Sequence, residues 1–98
     1  MRIYISGKIS GLSTRDYLLR FHKAEQMLRA AGNEVINPAS IGLMLPQTFL
    51  HPDYMDIDIM LLSKCDAIYM LNGWEDSEGA QEEHEYAERE GLDIIYET

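Results

Sequence analysis

Four short apolar runs are spaced along the chain, and each predicts a buried β-strand. They cover residues 2–6, 34–37, 66–71 and 92–96. Between these runs, apolar residues recur every three or four positions, which predicts helices over residues 14–31, 53–64 and 78–90. Because strands and helices alternate, we predict an α/β fold: a small doubly wound parallel sheet of the flavodoxin or Rossmann type, with strand order 2-1-3-4 and flanking helices.

The segment from residue 39 to residue 52 is the least regular part of the chain. It holds Gly42, Pro46 and Pro52 among apolar residues, and we expect at most a short helix there. Exposed apolar side chains would suit either a mobile flap or a contact between subunits. Because the domain is also small, we expect a homo-oligomer, a dimer or larger.

Length and charge limit the kind of protein. The 98 residues predict a single domain spanning residues 1–98, and the formal net charge is −9. This charge argues against nucleic-acid polymers and anionic membranes as partners, but leaves a small ligand open. The single cysteine, Cys65, fits a reducing compartment, and no signal peptide is apparent before the first strand, so we expect a cytoplasmic protein.

A glutamate in the last predicted helix is the strongest candidate for chemistry. Ala80, Glu83, His84 and Ala87 recur at helical spacing, so they share one face, and the small alanines suggest that this face packs on the sheet. A carboxylate there is costly unless it is paired or used. From the residues alone, Glu83 is either one of many glutamates on an acidic helix or a nucleophile or base.

Two other side chains could meet this glutamate. Asp58 shares a helical face with Leu62 and Cys65, where it is either a structural cap or ion pair or a functional carboxylate. Tyr4 belongs to the first strand, either as a core tyrosine or with a hydroxyl that orients a carboxylate at the end of the strand.

Ligands of doubly wound sheets bind beyond the carboxyl ends of the strands. The loop after the first strand reaches this edge, and its Gly7, Lys8 and Ser10 either cradle a phosphate or ribose or form a plain tight turn.

The loop after the third strand reaches the same edge. Its Trp74 is either a core plug or a surface on which a base stacks. Ser77 is a good N-cap for the last helix, and Gly79 lies in the first turn, where backbone N–H groups are free. The histidines lack partners at metal-ligand spacing, so we predict no metal site and no cofactor.

Taken together, these residues resemble the superfamily of nucleoside 2-deoxyribosyltransferases and 2′-deoxynucleoside 5′-phosphate N-hydrolases. Within it, the chain is most similar to bacterial and phage proteins of the domain-of-unknown-function family DUF4406. The resemblance covers almost the full length. It is carried by the segments 3–7 and 24–38, by Asp58 placed eight residues before Asp66, and most specifically by the segment 77–83.

This resemblance implies cleavage of the N-glycosidic bond of deoxynucleosides or their 5′-monophosphates. It makes Glu83 the nucleophile, Tyr4 the residue that orients it, and Asp58 the aspartate that faces the sugar and base. Ser77 falls where the transferases carry an aspartate and the nucleotide hydrolases a phosphate-binding serine. Ser10, however, stands where those hydrolases carry an arginine, so the two positions point in opposite directions on phosphate recognition.

We therefore expect an enzyme, an N-glycosidase (hydrolase) or a deoxyribosyltransferase, whose partner is a small deoxynucleoside or deoxynucleotide. The alternative is a non-catalytic nucleotide-binding or protein-interaction module on the same fold. A third hypothesis, an acidic mimic of DNA, is supported only by the net charge.

Overall fold

Four parallel strands form one sheet with helices on both faces, and the computed structural model describes all 98 residues. The strands are β1 (Arg2–Ser6), β2 (Glu34–Ile36), β3 (Ala67–Met70) and β4 (Asp93–Tyr96). The helices are α1 (Thr14–Ala30), α2 (Pro38–Gly42), α3 (His51–Leu62) and α4 (Glu78–Glu90), with a single 3₁₀ turn at Trp74–Asp76. The strand order is β2-β1-β3-β4 and every pairing is parallel, which confirms the predicted sheet.

Several element boundaries differ from the sequence prediction by one or two residues, and two of these differences have a clear physical reason. Asn37, predicted at the end of the second strand, instead caps α2, because its side-chain oxygen accepts hydrogen bonds from the N–H groups of Ala39 (3.1 Å) and Ser40 (3.3 Å). Helix α3 begins at His51, two residues before the predicted start. Pro52 does not prevent this, since the first turn of a helix has no N–H bond to lose.

Strand β1 lies in the middle of the sheet and sends alternate side chains to opposite faces. Ile3 and Ile5 pack in one core cluster with Phe21 of α1. Tyr4 packs on the other face, in a second cluster that includes Leu62 of α3 and residues of α4. The face that carries Tyr4 is therefore the face on which α3 and α4 lie.

The carboxyl ends of the two central strands are tightly joined. The backbone N–H of Leu71 donates to the carbonyl of Ser6 at 2.8 Å. A Cβ added at Gly7 would lie 2.8 Å from Cδ1 of the buried Leu71, so a glycine is needed for the chain to leave β1 at this point. This packing fixes the end of β1 against the end of β3.

The segment between α2 and α3 carries several exposed apolar side chains: Leu43, Met44 and Leu50. The expectation of a homo-oligomer stays a prediction. None of the helices has both the length and the apolar character needed to span a bilayer.

Candidate active site

Glu83 lies on the inward face of α4 and is only 5% exposed. Ala80 and Ala87, one turn away on either side, are also buried and bring the helix close to the sheet. The inward face predicted from the helical spacing is therefore confirmed, and it places a carboxylate in the protein interior.

Both oxygens of this carboxylate accept hydrogen bonds from hydroxyl groups of β1. The Tyr4 hydroxyl donates to Oε2 at 2.5 Å, and the Ser6 hydroxyl donates to Oε1 at 2.7 Å. The two donors are two residues apart in the strand, so they lie on the same face of the sheet. No buried side-chain polar atom of the chain lacks a hydrogen-bond partner.

The contact with Ser6 is a part of the site that sequence reasoning missed. Its signal was nevertheless available, because strand periodicity places residue 6 beside residue 4 on the face that meets α4. The pattern could not give the distance between the Glu83 carboxylate and β1. This distance determines whether both hydroxyls can reach the carboxylate.

The surroundings of Glu83 favour its protonated form. The pKa of Glu83 is raised to about 8. Burial is the main cause, the hydrogen bonds from Tyr4 and Ser6 oppose it, and the charges of Asp58 and Glu82 add to it. Burial and the charges of Glu83 and Asp58 also raise the pKa of Tyr4 well above its ordinary value. Tyr4 therefore keeps its proton and remains a hydrogen-bond donor.

A cavity of about 450 Å³ opens over Glu83. This volume lies within the range of pockets that bind small molecules. Tyr4, Asp58 and Glu83 all line it, so the structure brings these three sequence-predicted residues together. The cavity sits at the carboxyl end of β1, between the loop that follows β1 and the start of α4, beside the point where the strand order reverses.

Asp58 is half-buried on α3 and is the second carboxylate of the cavity. Burial raises its pKa to about 6, partly offset by His51. Two acids with different raised pKa values in one cavity can serve different roles, one as a nucleophile and one as a proton donor.

The predicted ligand-binding residues of the two loops divide between two spaces. Gly7, Ser10, Ser77 and Gly79 line the main cavity. Lys8 does not; it lines a smaller adjoining hollow of about 170 Å³, together with residues that include Ser10, Ser77 and Gly79.

Helix α4 begins beside both spaces, which gives that edge the positive end of a helix dipole. The Ser77 hydroxyl accepts a hydrogen bond from the Ala80 N–H at 3.2 Å, so Ser77 caps the helix as predicted. A Cβ at Gly79 would lie 3.3 Å from Sδ of Met55, so this glycine lets α3 and α4 approach each other closely.

Trp74 lies outside the cavity. Its ring stacks on His84 with centroids 4.3 Å apart and also contacts Tyr96 of β4. Trp74 is therefore a packing residue and not a surface of the cavity. The 3₁₀ turn that contains it directs its ring toward α4 and β4. The aromatic side chains that do line the cavity, besides Tyr4, are Tyr17, Phe21 and Tyr54.

One group of side chains could hold a metal ion, although the sequence predicted none. Ligand atoms of His51, Glu78 and Glu82 lie within 4.8 Å of one another. All three residues are exposed, and exposed acidic groups commonly gather without an ion. Sequence spacing could not show this group, because α3 and α4 are distant in the chain.

The four-stranded parallel sheet with helices on both faces is an α/β fold shared with a solved deoxyribosyltransferase structure. A solved structure of a 2-deoxyribosyltransferase from the psychrotolerant bacterium Bacillus psychrosaccharolyticus is similar, with a TM-score of 0.77 at 19% sequence identity. The match covers 98% of this chain and 71% of that one. The chain belongs to the family described as Domain of unknown function (DUF4406), whose model matches residues 1–96. A comparison with curated proteins found no match.

Replacing Glu83 by glutamine is expected to stabilise the fold, and more at pH 8 than at pH 5. The ordinary pKa is 4.5 and the folded-state pKa is about 8. Between these values the unfolded chain releases a proton that the folded chain keeps, so stability falls as pH rises. Glu83→Gln removes that loss, which denaturant unfolding at the two pH values measures.

Glu85→Gln is the matched control, because Glu85 is exposed on the same helix. This control should show no such difference between the two pH values. If Glu83→Gln were destabilised equally at both, the assigned cost of ionising Glu83 would be wrong.

Proposed function

We propose that this protein cleaves the N-glycosidic bond of 2′-deoxynucleosides or their 5′-monophosphates, with Glu83 as the nucleophile. The observation that supports this most is the buried carboxylate of Glu83, which accepts a hydroxyl hydrogen bond at each oxygen and lines a cavity of about 450 Å³, a volume typical of small-molecule pockets. The likeness in fold to a 2-deoxyribosyltransferase supports the same chemistry. A purely structural carboxylate would not need an open cavity beside it.

The first step forms an ester and breaks the glycosidic bond. A carboxylate oxygen of Glu83 attacks C1′ of the sugar, and the electron pair of the C1′–N bond leaves with the base. The base nitrogen takes a proton from Asp58. The transition state resembles an oxocarbenium ion, which the nearby negative charge of Glu83 stabilises.

The second step breaks the ester. Water attacks C1′ to give free deoxyribose, or a second base attacks to give a new nucleoside, and in both cases Glu83 regains its carboxylate. The acid Asp58, now ionised, accepts the proton that the incoming water or base releases. A sugar without a 2′-hydroxyl suits this mechanism, because the cationic state is then easier to reach.

The charges around the cavity bear on whether the substrate carries a phosphate. Lys8 and the first turn of α4 border the smaller hollow and would attract a 5′-phosphate. Asp76 and Glu78 border the same hollow and would repel it. Because these charges oppose each other, the proposal covers both nucleosides and nucleotides, and paired assays with and without the phosphate decide between them.

Glu83→Gln is expected to abolish release of free base while the fold stays intact. The amide cannot act as an anionic nucleophile, so the loss should be at least about a thousand-fold, in line with removal of a catalytic group. Base release is measured on a panel of deoxynucleosides and their monophosphates, with Glu85→Gln as control.

Unchanged turnover in Glu83→Gln would refute the proposal. If the unmodified protein released no base but was stabilised by a ligand from the panel, the alternative hypothesis, a non-catalytic nucleotide-binding module, would be correct.

Asp58→Asn should slow cleavage strongly for natural bases and weakly for a nucleoside analogue whose leaving group departs without protonation. A proton donor matters only when the leaving group needs the proton. The pH profile should change as well. The unmodified enzyme needs a proton on Asp58 and none on Glu83. Because Asp58 has the lower pKa, this is a minor protonation state at neutral pH, and the rate should follow a bell with limbs near 6 and 8.

The variant should instead rise to a plateau through the single ionisation of Glu83. An equal loss of rate for both kinds of leaving group would show that Asp58 is not the proton donor.

A further inference from the structure

We propose that Ser6 is a positioning residue of this site, which orients the nucleophile through Oε1 of Glu83. This inference rests on the proposed function for its catalytic meaning. Tyr4 holds Oε2 and Ser6 holds Oε1, at 2.5 Å and 2.7 Å, so each oxygen has its own hydroxyl. One donor alone would leave the carboxylate free to turn about its last side-chain bond. Two donors on different oxygens fix that rotation.

The Ser6 hydroxyl is itself held by rigid structure. Ser6 pairs with Met70 in the parallel register of β1 and β3, and its carbonyl accepts the Leu71 N–H at 2.8 Å. Gly7, directly after it, packs against Leu71 without room for a Cβ. The side chain is 1% exposed. Because the surrounding structure already fixes this hydroxyl, its hydrogen bond to Glu83 costs little conformational entropy.

The two hydroxyls also favour the ionised form of Glu83, because their hydrogen bonds lower its pKa. An ionised carboxylate accepts both hydrogen bonds well. A protonated carboxyl group carries a proton on one of its oxygens, so that oxygen is a donor and its capacity to accept a hydrogen bond is reduced. The groups that face Glu83 from the other side favour protonation. They are the half-buried Asp58 of α3 and the neighbouring Glu82 of α4, and burial acts in the same direction. Ser6 therefore opposes these effects and keeps more of the nucleophile in its reactive form.

Ser6 acts through Glu83 and not on the ligand. It does not line the cavity, although its neighbours Tyr4, Ile5 and Gly7 do. The removal of its hydroxyl should therefore change turnover and leave the Michaelis constant almost unchanged. This distinguishes it from Ser10, which lines the cavity and has no hydrogen bond to Glu83.

The test uses Ser6→Ala, which removes one oxygen and adds no bulk. The pKa of Glu83 is measured by NMR titration of its side-chain carboxyl carbon, and base release is measured across pH. We expect the pKa of Glu83 to rise by about one unit, which lowers the ionised fraction at neutral pH about ten-fold. Accordingly kcat at pH 7 should fall about ten-fold with KM unchanged, and the limb of the pH profile near 8 should move to higher pH. Ser63→Ala is the control, because Ser63 is an exposed serine whose hydroxyl bonds only to the carbonyl of Met60.

An unchanged pKa of Glu83 in Ser6→Ala would overturn the inference, even if the variant were less stable. A rise in KM with kcat unchanged would also overturn it, since Ser6 would then contact the substrate. The NMR titration needs no turnover. If the unmodified protein proved inactive, the proposed function would fail while the effect of Ser6 on Glu83 was still decided.

Discussion

The site depends on one interaction: the buried carboxylate of Glu83 accepts a hydrogen bond at each oxygen from a hydroxyl of the central strand β1. Taking a carboxylate out of water costs several kcal/mol. A hydrogen bond to a charged group returns about 1.5–3 kcal/mol, so two of them offset the cost only in part. This balance explains why the pKa of Glu83 stays raised, to about 8, although both oxygens are satisfied. At neutral pH the carboxyl group of Glu83 is therefore mostly protonated, and the two hydrogen bonds keep a minor ionised fraction that can act as the nucleophile.

The parallel sheet is what makes this arrangement possible. Because β1 is central and alternates its side chains, Ile3 and Ile5 build the core beneath α1 while Tyr4 and Ser6 face α4. The reversal of strand order beside β1 leaves a crevice over the same residues, and α3 brings Asp58 to its wall. A stable core and a polar site therefore share one strand, divided between its two faces.

Much of this could be predicted from the sequence because it depends on periodicity. The spacing of Ala80, Glu83 and Ala87 predicts the inward carboxylate, and the alternation of strands and helices predicts the sheet order. The contact of Ser6 with Glu83 was not predicted, since periodicity gives a face but not a distance. Trp74 shows the same limit for loops. No sequence periodicity predicts the path of a short turn, and here that path directs the Trp74 ring to His84 and away from the cavity.

If Glu83 is the nucleophile, it forms a covalent bond to the sugar, and that bond can be trapped. A 2′-deoxynucleoside with fluorine at C2′ should form the ester and lose it slowly, because fluorine disfavours the cationic transition state. Mass spectrometry of the intact chain, followed by peptide mapping, would locate the adduct. We expect one added fluorodeoxyribosyl group on Glu83, and none in Glu83→Gln. An adduct on Asp58, or release of base with no adduct at Glu83 under conditions of rapid quenching, would contradict it.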